Sequence, residues 1–171
     1  WNAGDPPDLQ FKNIENNIIK NVELQNGLIP RNIYPKIYYE PKYKNNLSNS
    51  LLVDINSNTI KYDFKTLKKI IKGIKKKNQG KELLKVNFKK NNLANQIITQ
   101  DYDNSIYDGV IQVENIFDYC DKIASSYGII SLSSGVSHLS SALKFYAKHL
   151  KIFCIMDNEW YCYHLQKGIY I

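Results

Sequence analysis

Ser133, Ser134 and Gly135 form the stretch of this sequence best suited to chemistry. They follow a short apolar run, Gly128-Ile129-Ile130-Ser131-Leu132, long enough for one buried strand. After them Val136, Leu139, Leu143, Tyr146, Ala147 and Leu150 recur at helical spacing. Strand, tight small-residue turn and helix together put free backbone N–H groups and two hydroxyls at the positive end of a helix dipole. That is where a phosphate binds. His138, at the start of the helix, is placed to add a ring N–H to the same anion. The competing readings are plainer: a serine before a helix is an ordinary N-cap, and a helix histidine can be satisfied by a nearby carbonyl.

Other reactive residues form no comparable group. Cys120, Cys154 and Cys162 are odd in number and have no C-x-x-C spacing, which indicates neither a disulfide framework nor a zinc site. Cys120 and Cys154 read as small core residues, which weakly favours a reducing compartment. His149 and His164 lack metal-ligand spacing, and no metal site is expected. Asp101, Asp103 and Asp108 read as solvated turn residues.

The elements that must position the turn alternate. Leu51–Ile55, Leu83–Phe88, Gly109–Val113, Ile129–Leu132 and Lys151–Met156 read as strands. Asp63 caps a helix with Phe64, Leu67, Ile70, Ile71 and Ile74 on its apolar face, and Lys65, Lys68, Lys69, Lys72, Lys75, Lys76 and Lys77 on the other. Asn115 caps a second helix, with Asp118 in the capping-box place and Ile116, Phe117, Cys120, Ile123 and Ala124 toward the core. Leu93 to Ile98 reads as a short helix, and Thr99 to Tyr107 as a polar loop.

Five strands alternating with helices predict an α/β fold, a doubly wound, Rossmann-like, mostly parallel five-stranded sheet. With strand order 3-2-1-4-5, Leu51–Ile55 and Ile129–Leu132 are central neighbours, and Ile70, Ile71, Ile123, Leu139 and Leu143 are buried. The turns Asn56–Thr59 and Ser133–Gly135 then face one another across a crevice at the carboxyl ends of the strands, where such sheets bind ligands. Ser57, Asn58 and Thr59 are also ordinary turn residues.

Residues 1–48 differ from the rest. Ile14 to Val22 fits a short helix. Pro30, Pro35 and Pro41 punctuate Ile33-Tyr34 and Lys36–Tyr39, which suggests extended segments at a sheet edge or a linker. Two units follow: 1–48, an N-terminal extension or interdomain linker, and 49–171, a Rossmann-like domain. Residues 157–171, with Trp160, Tyr161, Tyr163 and Tyr170, read as a loop or tail. The chain begins at Trp1, not Met, as a fragment of a longer protein would.

The string Ser134-Gly135-Val136-Ser137-His138-Leu139-Ser140-Ser141-Ala142-Leu143 resembles the signature of the ADP-heptose:lipopolysaccharide heptosyltransferases, roughly Asp-[Ser/Thr]-Gly-x-x-His-Leu-x-Ala-Ala. The family's Asp falls on Ser133. The likeness extends over about Pro35 to Met156, with only Gly135–Leu143 specific. It implies the C-terminal, donor-binding half of a bacterial GT-B glycosyltransferase of lipopolysaccharide or capsule biosynthesis. Such a half binds a nucleotide-diphosphate sugar for transfer to a glycan or lipid-linked acceptor, without a required metal. Ser133, Ser134, Gly135, Val136 and His138 would hold the diphosphate. Ser57, Asn58, Thr59 and Lys61 fall near the family's second polar turn and basic residue. The general base lies on the family's other half, so no catalytic base is assigned here. The alternative is a degenerate nucleotide-fold binding or interaction module without catalysis.

The totals agree with a globular chain: 171 residues, 43% hydrophobic and 23% charged. No apolar run approaches the ~20 residues of a membrane span, and no signal-peptide pattern opens the chain. A cytoplasmic location follows as the expectation, with peripheral attachment to the inner membrane as its variant. The net charge of +7 admits an anionic substrate, an acidic membrane surface reached through the Lys65–Lys77 helix, or nucleic acid. An AT-rich coding sequence would also raise the lysine count. No nucleic-acid partner is expected, because no interleaved aromatics accompany the lysines.

Overall fold

A computed structural model of the chain describes residues 36–43, 45–56, 63–88 and 104–155, with Gly27 and Ile29. Within them lie β1 (Ser50–Asp54), α1 (Phe64–Lys77), β2 (Glu82–Phe88), β3 (Gly109–Val113), α2 (Ile116–Ser125), β4 (Gly128–Leu132), α3 (Gly135–Leu143) and β5 (Lys151–Ile155). The five strands form one sheet in the order β3-β2-β1-β4-β5, and every neighbouring pair is parallel. This is a Rossmann-like α/β sheet. β1 and β4 are adjacent at its centre, with Leu52 opposite Ile129 and Asp54 opposite Ser131. All five residues of each are buried, as befits strands covered on both faces.

Alternation along the strands divides the core. Leu51, Val53, Ile55, Leu83, Ile130 and Leu132 pack with Leu67 and Ile71 of α1 on one face. Leu52, Val86, Ile129 and Ile152 pack with Tyr119, Cys120 and Ile123 of α2 and Leu143 of α3 on the other. Ile71, Ile123 and Leu143 are fully buried as the periodicity requires, whereas Ile70 and Leu139 are half-buried at the rims of their clusters.

α1 starts where Asp63 accepts the Thr66 N–H at 2.9 Å. α2 starts where the Asn115 side chain accepts the N–H groups of Phe117 and Asp118, each at 3.0 Å. Asp118 reaches back to the Glu114 N–H, one residue before the cap, and pairs with Lys122. The face of α2 differs from the expected one. Ile116 and Phe117 are more than half exposed, and Tyr119 is buried in their stead. The reason is a polar partner for its hydroxyl, described below. α3 is also shorter than its apolar spacing suggests. After Leu143 the chain tightens into i→i+3 bonds, from Phe145 to Ala142 and from Tyr146 to Leu143, and Ala147 and Leu150 reach the core from the turn.

Lys36–Tyr39 is not a sheet-edge strand. The segment 36–43 lies against α2 and α3: the Tyr39 hydroxyl and the Lys42 N–H both donate to Asp121 Oδ1 at 2.8 Å, and Tyr43 donates to the Tyr146 carbonyl. The bond to Asp121 pushes the Tyr39 phenol up to about 12. The expected helices at 14–22 and 93–98 and the tail at 157–171 lie outside the described residues.

One glycine is fixed by packing. A Cβ on Gly128 would stand 2.7 Å from the Lys151 carbonyl oxygen and 3.1 Å from Leu51 Cδ2. Both contacts belong to the strands flanking β4, so neither side can yield without moving the sheet. Gly128→Ala is expected to destabilise the protein by about 1–3 kcal/mol, the usual cost of overpacking, and urea denaturation will measure it.

Candidate functional site

The face of the sheet beneath α2 and α3 changes character toward the carboxyl ends of the strands. Leu52, Ile129 and Ile152 make an apolar row, and two residues further on the row is Asp54, Ser131 and Cys154. Asp54 is 2% exposed. Its Oδ2 accepts the Tyr119 hydroxyl at 2.6 Å, and its Oδ1 accepts the backbone and side-chain N–H groups of Asn56 at 3.3 and 3.2 Å. Burial pushes the Asp54 carboxyl above its ordinary value; the bonds from Tyr119 and Asn56 pull the other way without offsetting it. Burial, reinforced by Asp54, holds the Tyr119 phenol well above its ordinary value, so it stays a donor. Ser131 Oγ, fully buried beside Asp54, has no hydrogen-bond partner among the described residues.

α3 begins directly above this row. Ser134 is its N-cap, with extended backbone. Ser137 organises the turn: its hydroxyl donates to the Ser134 carbonyl at 2.7 Å and accepts the Ser134 N–H at 3.3 Å. The Ser137 N–H also bonds that carbonyl, at 3.1 Å. The two serines stand as a capping box, but the Ser134 hydroxyl falls short of a capping bond and its Oγ is buried without a partner among the described residues. The Ser133 N–H donates to the Ile155 carbonyl at 3.0 Å, which ties the turn to β5. Gly135 and Val136, the first two residues of α3, have no intrahelical acceptor for their N–H groups.

Gly135 is exposed, has no positive φ, and a Cβ on it would meet nothing within 4 Å. Among the described residues, neither backbone nor packing requires glycine there. The helix dipole adds partial positive charge at the Gly135 and Val136 amides. His138 is half-buried one turn into α3.

The structure thus brings Ser133, Ser134, Gly135, Val136 and His138 together at the carboxyl edge of the sheet, beside the end of β1. Ser57, Asn58, Thr59 and Lys61 lie outside the described residues. Sequence reasoning passed over Asp54, Tyr119, Ser131 and Ser137. The visible signal was an aspartate in an apolar strand run, at the carboxyl end of the first strand. Asp108, read as a solvated turn residue, is an anchor: it accepts the Leu83 N–H at 2.8 Å and pairs with Lys75 at 2.6 Å, and the Lys75 bond chiefly lowers its carboxyl. Cys120 and Cys154 are buried, which pushes both thiols up to about 11 and leaves them unreactive. Among the described residues no three His, Cys, Asp or Glu side chains stand together as metal ligands would, and no helix is long and apolar enough to cross a membrane.

Fold and site together define a Rossmann-like α/β domain whose strand order reverses between β1 and β4, with a helix start open at that point. No protein-family model and no curated protein matches the chain. Among solved structures it is similar to KpsC of Thermosulfurimonas dismutans, a beta Kdo 2,4 transferase, at 14% identity and a TM-score of 0.43. The likeness covers 90% of this chain and 46% of that one, so the chain spans a little under half of that protein's length.

Proposed function

We propose that this chain is the donor-binding half of a glycosyltransferase, holding the diphosphate of a nucleotide sugar at the start of α3. The observation that carries the reading is a coincidence at the switch point. Two helix-start amides without an intrahelical acceptor, a Ser134 hydroxyl with no partner among the described residues and a glycine that packing among those residues does not require meet at the carboxyl ends of β1 and β4. The Gly135-Val136-Ser137-His138-Leu139 string of the heptosyltransferase resemblance falls on the same turn. In this reading the Gly135 and Val136 amides bind phosphate oxygens, the His138 ring adds a donor, and Lys61 supplies a counter-charge from the segment after β1. Charge developing on the leaving diphosphate is stabilised by these fixed dipoles, which calls for no metal. The acceptor, a glycan or a lipid-linked sugar, and the general base belong to another part of the enzyme.

Calorimetric titration with ADP-, GDP-, UDP- and CMP-linked sugars tests the proposal. One of them is expected to bind, and His138→Ala to weaken it about tenfold or more, the loss of one charge-assisted hydrogen bond, with little loss of stability. Failure of all four to bind would leave the non-catalytic interaction module as the better account.

A further inference from the structure

The charge of this protein is segregated. The chain has 23 Lys and Arg against 16 Asp and Glu. Seven of the lysines lie in α1, which has no acidic residue. Outside that one helix the two signs balance at sixteen each. A codon bias toward lysine acts along the whole chain and does not leave the surplus on fourteen residues.

The lysines are also arranged. Lys65, Lys69, Lys72 and Lys76 fall at successive i+4, i+3 and i+4 steps, a stripe about 60° wide and about 16 Å long on a regular helix. All four are exposed and form no ion pair among the described residues. Lys75 pairs with Asp108, and the Lys68 ammonium lies 5.8 Å from the Phe64 ring centre, so these two stand partly aside. Lys65–Lys69 and Lys72–Lys76 are like-charged i,i+4 pairs, which destabilise a helix. Lys65 and Lys69 also sit toward the helix N-terminus, where the dipole opposes a cation. Capping and the dipole explain Lys75, Lys76 and Lys77 in the last turn, but not the rest of the stripe. The opposite side of the helix, Leu67 and Ile71, is sunk in the core.

We propose that this stripe docks the protein on an anionic lipid bilayer. A straight ridge on an outer helix meets a plane of headgroups with all four ammonium groups at once. Among the described residues no exposed aromatic stands beside it for base stacking on a nucleic acid. The apolar side of α1 is committed to the sheet, so attachment is electrostatic, reversible and salt-sensitive, without insertion. α1 connects parallel strands and runs back against them, so Lys65 is at the carboxyl edge of the sheet, the edge that holds the α3 turn. Docking along the stripe keeps that edge of the sheet beside the membrane surface. This inference does not depend on the nucleotide-sugar reading.

The test is co-sedimentation of the full chain with vesicles of phosphatidylcholine containing about 30% phosphatidylglycerol. Binding is expected at low salt, and release at about 0.5 M salt, where screening is short-ranged. Pure phosphatidylcholine should bind nothing. Replacing Lys65, Lys69, Lys72 and Lys76 together with Gln should lower partitioning by several hundredfold, about fivefold per lysine, from ~1 kcal/mol per charge near the surface. Replacing the same four with Arg should preserve it, and both variants should melt no lower than the parent. A parent that fails to sediment at low salt, a Gln variant that sediments like the parent, or tighter binding to a short RNA or DNA duplex than to the vesicles would each overturn the proposal. Titration with nucleotide sugars should be the same in parent and variants.

Discussion

Tyr119→Phe is expected to cost about 1–3 kcal/mol of stability, the range for leaving a buried polar group without its hydrogen-bond partner. The substitution removes one oxygen and leaves the ring in place, so no cavity is created. What it removes is the 2.6 Å bond to Asp54 Oδ2 in a site where both side chains are at most 2% exposed. The Asn56 contacts to Oδ1 are longer, at 3.3 and 3.2 Å, and do not replace it. A buried carboxylate without its donor either keeps its charge at a high desolvation cost or takes a proton.

That choice sets the pH dependence. Burial raises the folded-state value of Asp54 above the ordinary 3.8. Between those two values the folded protein holds a proton that the unfolded chain has released. The contribution of Asp54 is therefore most favourable below the unfolded value and is lost as pH rises through the folded one. Tyr119→Phe removes a bond that lowers the folded value, so the loss extends to higher pH. The gap between parent and variant should be small near pH 3.5 and widen toward neutrality. Asp54→Asn keeps an acceptor for the Tyr119 hydroxyl and removes the titration, so its stability should lose this part of the pH dependence. Chemical denaturation across that pH range, read by circular dichroism, measures all three proteins. A parent-to-Phe gap that does not change with pH would show that the Tyr119 bond does not shift the titration of Asp54 in the folded state.

The strand order was legible because each strand of this sheet is a short apolar run bounded by turn residues, and alternation with helices leaves few topologies. The α3 turn was legible because three small residues separate the strand run from a helical period. The partners of Asp54 were not. Its donor Tyr119 is 65 positions away on α2, and only the crossover from β3 to β4 brings them together. For the same reason the apolar count along α2 favoured Ile116 and Phe117 as core residues, when a tyrosine with a satisfied hydroxyl fills more of the space. The serines of α3 read as turn and cap residues. In the fold Ser137, Ser140 and Ser141 form a buried inner side of the helix, and small side chains there let it lie close over the sheet. The segment 36–43 read as an edge or linker because its prolines break a strand pattern. What holds it is Asp121, a buried carboxylate that nothing local in the sequence marks.

Gly135→Val is expected to abolish binding of the nucleotide diphosphate proposed above, a loss of about a hundredfold or more, and to leave stability within about 0.5 kcal/mol, the usual span for a surface change. The two effects separate because of where the Cβ would go. Side chains on a helix tilt toward its N-terminus, so at the first helical position a Cβ projects past the end of α3, into the space before the Gly135 and Val136 amides. No atom of the described protein occupies that space within 4 Å of a Cβ, so the folded state loses nothing, and a helix favours most residues over glycine. A phosphate held by those amides would need the same volume. Gly135→Ala should fall between, since one methyl obstructs less than a branched side chain. Gly128 supplies the contrast seven residues away, where the same Cβ meets a backbone oxygen at 2.7 Å and should cost stability. Calorimetric titration paired with urea denaturation on Gly128→Ala, Gly135→Ala and Gly135→Val gives the full pattern. Unchanged nucleotide affinity in Gly135→Val would place the diphosphate away from the start of α3 and remove the central support of the donor-site reading.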